Sequence, residues 1–160
     1  MLCRVVIKMM ISIKEDNTRF SARAGAIIYN EDRNKVLLEN QGKFYRFPGG
    51  RIDFGEDSKT AILRELKEEL GIDLKLNLKY IAEMVLNIST IRYHEIGFYF
   101  MTFISEKMIS NNFDSLDDDN HFEWVNVSEL DKYDVVAKPI KEKVMNGFLN
   151  DDLEYMVYTE

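Results

Sequence analysis

The sequence predicts an α/β sandwich built around a mixed β-sheet. Runs of β-branched and aromatic residues lie both before and after a long helical pattern at 57–70, and a second helical pattern follows at 139–148. Strands on both sides of a helix, with another helix near the end, are typical of helical layers packed on a sheet. The chain has 160 residues, 46% of them hydrophobic, and is therefore predicted to form a single domain over 1–160.

The segment before the first helix is predicted to form strands. Val5 to Ile13, within the region 1–18, is expected to be an N-terminal arm or a strand. Phe20 to Tyr29 and Lys35 to Glu39 are separated by a polar turn cluster and form a predicted hairpin. Phe44 to Phe47 is a short aromatic run that ends at a proline, which is typical of an edge or terminal strand.

The first helix has clear start and stop signals. Asp57 or Ser58 can cap its first turn, because a short side-chain oxygen accepts from the free amide groups there. Gly71 follows the last periodic residue, where a left-handed backbone costs a glycine least. Apolar residues recur every four positions and form the predicted buried stripe: Ile62, Leu66 and Leu70.

After this helix the pattern returns to strands. Leu74 to Ile88 predicts one long strand or two consecutive ones, and Glu95 to Ile104 predicts a strand buried on both faces. Phe122 to Val127 is a further predicted strand, followed by a short turn capped by Ser128.

The last part of the chain predicts a helix and a strand. Pro139 suits the first helical position. The predicted buried stripe of this helix is Ile140, Val144 and Phe148. Leu153 to Tyr158 is the predicted closing strand.

Charge and cysteine usage exclude several classes of protein. The net charge of −7 disfavours duplex nucleic acid or an anionic membrane as the main partner. A single cysteine, Cys3, rules out an internal disulfide and fits a reducing cytoplasm. No apolar run reaches transmembrane length, so a cytoplasmic protein is expected.

The first helix carries an unusual patch of three carboxylates. Glu65, Glu68 and Glu69 lie at i, i+3 and i+4 and therefore gather on one face, where they repel each other. Hard divalent cations bind oxygen clusters of this kind, and Mg²⁺ typically binds one or two carboxylates together with substrate phosphates. The alternative is an acidic surface helix without a ligand.

This stretch resembles the box of the Nudix hydrolases. The pattern is a glycine, five residues, a glutamate, seven residues, and then Arg-Glu-apolar-any-Glu-Glu-any-Gly-apolar. Every position of it is filled here by Gly50, Glu56, Arg64, Glu65, Leu66, Glu68, Glu69, Gly71 and Ile72. The resemblance implies a Nudix-like α/β/α sandwich around a mixed β-sheet, with a loop–helix–loop catalytic motif.

The resemblance also implies an activity and its cofactor. Nudix hydrolases cleave the diphosphate bond of a nucleoside diphosphate linked to another moiety, with Mg²⁺ or Mn²⁺ as the cofactor. By family position, Glu65, Glu68, Glu69 and the main-chain carbonyl of Gly49 would hold the metal. Glu65 and Glu68 are candidates to accept the proton of the attacking water, and the position of this base differs among members of the family.

Two further box residues receive roles from the resemblance. Arg64 matches the family arginine that holds the catalytic carboxylates in place, and a planar guanidinium suits a paired contact with a glutamate. Glu56 matches the first glutamate of the box, which either ligates metal or anchors the loop. Gly50 and Gly55 are expected to supply unusual backbone angles.

Substrate contacts are predicted around the glycine loop. Arg46 and Arg51 flank this loop and are candidates to bind phosphates, although solvated surface arginines fit the pattern equally. Phe44 is a candidate for stacking on a base, as are Tyr45 and Phe47, although aromatics at strand spacing more often belong to a core.

Other polar residues have weaker signals. Glu123 is a candidate for an extra metal ligand or a base, although a solvated charge fits its position better. His94 and His121 have no partner that the sequence reveals. The run Asp117–Asp119 resembles a calcium loop but lacks the spaced glycine and the terminal glutamate, so it is interpreted as solvated.

Two readings other than an enzyme remain. A catalytically silent nucleotide-binding or regulatory Nudix domain would have the same fold, although such domains usually lose part of the acidic cluster. An acidic scaffold for a basic protein partner is the other. The expected partner of the enzyme is a small nucleotide-type substrate, with no membrane partner, and homodimers are frequent in the family.

Overall fold

The computed structural model describes residues 9–147 and 152–160, and its strands form one mixed sheet. The path through the sheet is β10–β6–β7–β2–β3–β9–β8, with β1 and β5 paired to β2 and β4 paired to β3. The bounds of the strands are β1 Ser12–Glu15, β2 Thr18–Asn30, β3 Lys35–Asn40, β4 Tyr45–Arg46, β5 Gly49–Arg51, β6 Asn77–Ile88, β7 Ile91–Ile104, β8 Phe113–Asp114, β9 His121–Asn126 and β10 Glu154–Thr159.

Two α-helices cover opposite faces of this sheet. Helix α1 spans Ser58–Leu70 and helix α2 spans Lys138–Met145, and short 3-10 helices span Glu106–Met108 and Val127–Lys132. Alternate residues of β2 point to opposite faces, so Ala26 belongs to the core cluster under α1 and Ile27 to the cluster under α2. The predicted α/β/α sandwich around a mixed sheet is confirmed.

Strand β2 positions the glycine loop. Its full length pairs with β7 in parallel, while its other edge pairs in turn with β1, β5 and β3. Strand β3 pairs with β2 in antiparallel register at Tyr29↔Val36. The short strand β5 pairs with β2 at Gly25↔Gly49, so the loop that precedes α1 is held by the centre of the sheet.

Several local predictions need correction. Asn126, not Ser128, is the N-cap residue of the 3-10 helix at Val127–Lys132, and it makes no side-chain capping bond. Strand β7 is not buried along its whole length, since Phe103 is 37% exposed. Helix α2 ends at Met145, and the predicted stripe residue Phe148 lies outside the described residues.

The predicted N-terminal arm or strand falls partly outside the described residues, which begin at 9; β1 starts at Ser12. Within the described residues, no helix combines the length and the apolarity that a membrane crossing needs.

Candidate functional site

Helix α1 is fixed at both ends by the predicted caps. The Asp57 side chain accepts from the main-chain N–H groups of Lys59 and Thr60, each at 2.9 Å. Gly71 adopts the left-handed conformation with φ 69° and donates its N–H to the carbonyl of Lys67. The carboxylates of the helix therefore project from a rigid element rather than from a loop.

Two glycines bring the main chain close to these carboxylates. Gly49 has φ 132°, and a Cβ there would lie 2.2 Å from the Ala24 carbonyl oxygen. A Cβ on Gly50 would lie 2.3 Å from Oε1 of Glu65. The expectation of an unusual backbone at Gly50 is wrong, because the positive φ belongs to Gly49 and to Gly55; Gly50 is needed for close approach.

Arg64 links the loop to the helix carboxylates. Its Nε and Nη2 donate to Oε1 and Oε2 of Glu56 at 2.8 and 2.9 Å. Its Nη1 donates to Oε1 of Glu65 at 2.7 Å and to Oε2 of Glu68 at 3.3 Å. These contacts, with the Glu56 bonds foremost, raise the pKa of Arg64 further above its ordinary value.

Glu56 is engaged by the loop and by Arg64. Besides the paired contact with Arg64, its Oε2 accepts from the Asp53 N–H at 3.0 Å. The hydrogen bonds from Arg64 lower the pKa of Glu56, so it stays ionised as the partner of that guanidinium. Of the two predicted roles, these contacts favour the anchoring one.

Glu69 is the most deeply buried of the helix carboxylates. It is 6% exposed, and in the described part of the chain no group donates a hydrogen bond to its buried Oε2. Burial, followed by the negative charges of Glu39 and Glu65, raises the pKa of Glu69 to about 9. Burial also raises the pKa of Glu65. A hard divalent cation would satisfy the unpaired oxygen and offset the repulsion, so these residues fit Mg²⁺ or Mn²⁺.

Arg23 is a site residue that the sequence interpretation missed. Its Nη2 donates to the carbonyl of Gly49 at 2.6 Å, which is the main-chain oxygen predicted to ligate metal. A carbonyl oxygen has two lone pairs, so this bond leaves one acceptor position. The available signal was an arginine inside the otherwise small and apolar run of β2.

A cavity of about 120 Å³ adjoins the glycine loop on the α2 side of the sheet. Arg23, Arg46 and Arg51 line it together with the rings of Tyr93 and Tyr99. Burial, and then the positive charge of Arg23, lower the pKa of Arg46. Crowded guanidinium groups beside aromatic rings suit an anionic ligand that has a planar part.

Of the three aromatic residues predicted to stack on a base, only Phe47 lines the cavity. Phe44 does not line the cavity, and its ring lies 5.0 Å from the guanidinium carbon of Arg46. Phe47 is 2% exposed, forms part of the cavity wall and makes an edge contact with Tyr99 at 6.2 Å. Tyr45 makes an edge contact with Tyr133.

The weaker candidates divide between the surface and the site. Glu123 accepts from Asn40 at 3.1 Å, and His94 is hydrogen bonded to Glu83 at 2.8 Å. Asp118, in contrast, offers a carboxylate oxygen within 4.8 Å of oxygens from Glu39 and Glu69. The side chain of Asp118 is exposed, as the solvated interpretation predicts, and it also lies beside the buried carboxylates of Glu39 and Glu69.

Parts of the chain are similar in sequence to known proteins. The family model described as "NUDIX domain" matches residues 19–145. The chain is 36% identical over 81 residues to the m7GpppN-mRNA hydrolase of Saccharomyces cerevisiae, covering 46% of this chain and 8% of that protein. It is 47% identical over 40 residues to the 8-oxo-dGTP diphosphatase of Proteus vulgaris, covering 25% and 36%. These alignments thus span well under two thirds of the relatives.

A solved structure of similar fold is the mutator MutT protein from Bacillus halodurans. It superposes with a TM-score of 0.65 at 22% identity, covering 87% of this chain and 89% of that one. At 22% sequence identity, this superposition shows that the two proteins share a fold.

Proposed function

The chain belongs to the NUDIX domain family, and we propose that it is a divalent-metal-dependent hydrolase that cleaves a phosphoanhydride bond in a nucleotide-type substrate. The observation that carries the proposal is the carboxylate patch of α1. Within this patch Arg64 donates to Glu65 and Glu68, and Glu65 lies against the Gly50 main chain. Among the described residues, the buried Oε2 of Glu69 has no hydrogen-bond partner.

We assign metal binding to Glu65, Glu68, Glu69 and the Gly49 carbonyl, with Mg²⁺ or Mn²⁺ as the ion. The bound ion would supply charge neutralisation at the phosphates and a lowered pKa for coordinated water. Glu56 was also a candidate ligand. Because both its oxygens accept hydrogen bonds from Arg64, we propose that it anchors the loop instead.

In the proposed reaction, side chains of this protein accept the proton of the attacking water and hold the proton acceptor in place. The oxygen of a water molecule forms a bond to phosphorus, the bridging P–O bond breaks, and the leaving phosphate takes its electron pair. Glu65 or Glu68 accepts the proton of the water. Arg64 keeps the acceptor in position through its bonds of 2.7 Å to Glu65 and 3.3 Å to Glu68.

The arginine-lined cavity supports binding of the substrate's phosphates. Arg46 and Arg51 line this cavity together with Arg23. Arg23 also donates a hydrogen bond to the Gly49 carbonyl. Arg23 therefore connects the cavity with the carboxylate side of the loop. The rings of Phe47, Tyr93 and Tyr99 line the cavity, and Phe44 does not. Phe47 and Tyr99 are each 2% exposed, so the half-buried Tyr93 is the ring best placed to contact a base.

A substrate screen tests the proposal. The panel contains oxidised nucleoside triphosphates, ADP-ribose, nucleotide sugars, dinucleoside polyphosphates and capped RNA, each with Mg²⁺, with Mn²⁺ and with EDTA. We expect metal-dependent cleavage of at least one class. Arg46→Met should raise KM with a smaller effect on kcat, because it removes a ground-state phosphate contact. Cleavage that is unaffected by EDTA would contradict the proposal.

The alternative is a catalytically silent nucleotide-binding domain of the same family. The full set of box carboxylates speaks against it, since a silent domain has no need for three repelling glutamates. Calorimetric nucleotide binding without turnover of any panel member would favour this alternative.

A further inference from the structure

The cavity beside the glycine loop contains a carboxylate as well as arginines. Of the described residues that line it, Glu95 alone is acidic. A carboxylate repels the phosphates that the neighbouring arginines attract, so it is unfavourable there unless the ligand also carries a hydrogen-bond donor. We propose that Glu95 is a specificity-determining residue that binds the guanine base of a guanine nucleotide. This role of Glu95 rests on the proposed function, in which the cavity holds the substrate.

Glu95 lies on an inner strand of the sheet, so its backbone is held on both sides. Within β7 it pairs with Ser21 of β2 in parallel register and with Met84 of β6 in antiparallel register. Alternate residues of a strand point to the same face, and Tyr93 of β7 lines the cavity together with Glu95. The carboxylate and an aromatic ring therefore share one wall, which suits a planar group with a polar edge.

Ser21 holds one oxygen of the Glu95 carboxylate. Ser21 is completely buried, and its Oγ donates to Oε2 of Glu95 at 2.9 Å. In the described part of the chain, no other group donates a hydrogen bond to this carboxylate, and no basic side chain forms an ion pair with it. Each carboxylate oxygen has two lone pairs, so Oε1 and the second lone pair of Oε2 can accept from a ligand.

Two glycines let the Tyr99 ring lie close against β2 and β7 next to this carboxylate. A Cβ on Gly25 would lie 2.8 Å from Cε1 of Tyr99, and a Cβ on Gly97 would lie 2.6 Å from Cε2. Both distances are well below an ordinary carbon–carbon contact. Side chains at these two positions would push the ring away from the strands and into the cavity. The glycines therefore keep space for a ligand beside Glu95.

The hydrogen-bond donors of the ligand decide which base fits. Guanine carries two adjacent donors, N1–H and the N2 amino group, which can bind the two oxygens of one carboxylate. Adenine and cytosine each have a ring-nitrogen acceptor beside their amino group, and uracil has its N3–H between two carbonyl oxygens. In those three bases a lone pair would face the negative charge of Glu95. Guanine also has acceptors at O6 and N7, which suit the guanidinium groups of the same cavity.

Binding of nucleoside monophosphates tests this role. Guanosine, inosine and adenosine monophosphate (GMP, IMP and AMP) contain no phosphoanhydride bond, so calorimetry in EDTA measures their dissociation constants without turnover. We compare the wild type with Glu95→Gln. Glu83→Gln is the matched control, because it removes an equal charge from the neighbouring strand β6. Glu83 precedes Met84, which lines the cavity, and therefore points to the opposite face of the sheet.

We expect the wild type to bind GMP about tenfold to a hundredfold more tightly than AMP, which is the discrimination typical of one base contact with two hydrogen bonds. IMP lacks the N2 amino group and should fall between them. Glu95→Gln offers a donor as well as an acceptor, so its affinities for GMP and AMP should become nearly equal. Glu83→Gln should keep the wild-type ratio. Ser21→Ala retains the carboxylate but removes the group that orients it, so the ratio should fall by a smaller factor.

Equal binding of GMP and AMP by the wild type, or no GMP binding at millimolar concentrations, would overturn the proposal. The wild-type ratio in Glu95→Gln would do the same. So would a uniform gain in affinity for all three nucleotides in Glu95→Gln, because Glu95 would then only balance the charge of the arginines. Circular dichroism verifies that each variant is folded, and Ser21→Ala provides the test if Glu95→Gln does not fold.

Hydrolysis is a separate result. A guanine preference without turnover in the substrate screen would support the role of Glu95 and contradict the proposed hydrolase. Turnover without a base preference would support the hydrolase and contradict the role of Glu95.

Discussion

Replacing Glu69 with glutamine should stabilise the metal-free protein at neutral pH. Glu69 has a pKa of about 9 in the folded protein against an ordinary value of 4.5, with burial as the main cause. Between pH 4.5 and about pH 9, the carboxyl group of Glu69 binds more protons in the folded protein than in the unfolded chain. The free energy of unfolding therefore falls as pH rises through this window.

The magnitude follows from the size of the shift. Each pH unit above 4.5 costs about 1.4 kcal/mol, so the cost approaches about 3 kcal/mol at pH 7. Glu69→Gln removes this titration, since the neutral amide resembles the protonated acid. We expect the variant to match the wild type near pH 4 and to exceed it by up to about 3 kcal/mol at pH 7.

Urea unfolding in EDTA from pH 4 to pH 8.5 measures this difference. Asp119→Asn is the control, because it removes an exposed charge outside the cluster. Saturating Mn²⁺ should largely cancel the difference at pH 7, since a ligand that binds the folded wild type at a hundred times Kd contributes about 2.7 kcal/mol against the cost of about 3 kcal/mol. Parallel pH profiles of the variant and the wild type would refute the account of Glu69.

Three further substitutions test other contacts. Arg64→Lys should lower kcat/KM by about a hundredfold or more, or about 2.7 kcal/mol, because lysine cannot reproduce the paired contact with Glu56; full activity in steady-state assays would contradict this. Gly50→Ala should weaken Mn²⁺ binding, because its Cβ would lie 2.3 Å from Oε1 of Glu65; calorimetry with an unchanged Kd would disprove the close approach. Asp57→Ala should lower the free energy of unfolding by about 1 kcal/mol through loss of the helix cap, while urea unfolding of Ser58→Ala shows a smaller change.

Helix α1 was predictable because its signals are local. The Asp57 cap, the apolar residues every four positions and the Gly71 stop all act within a few residues of each other. The motif also predicted a paired contact of Arg64 with a glutamate, but it did not identify Glu56 as that partner. These features depend little on the rest of the chain.

The remaining site residues come together through the register of the sheet. Glu39 pairs with Phe122 across β3 and β9, which brings the loop of Asp118 beside it. Arg23 reaches the Gly49 carbonyl because β5 pairs with the middle of β2. The sequence shows each residue but does not reveal which strands become neighbours.

The short run from Phe44 to Phe47 shows a related limit. Alternation over four aromatic and basic residues does not reveal which side chains face the cavity. In the structure Arg46 and Phe47 line it, while Phe44 lies outside against the Arg46 guanidinium. The pairing of β4 with β3 fixes which way the side chains of this run point.

Steady-state hydrolysis by the double variant Glu68→Gln/Glu69→Gln is the decisive assay for the role of the helix carboxylates. With a substrate found in the screen and saturating Mg²⁺, we expect kcat/KM to fall by at least about a thousandfold, or about 4 kcal/mol, while circular dichroism shows a folded protein. Turnover equal to the wild type in the folded double variant would contradict the proposal that these glutamates hold the catalytic metal.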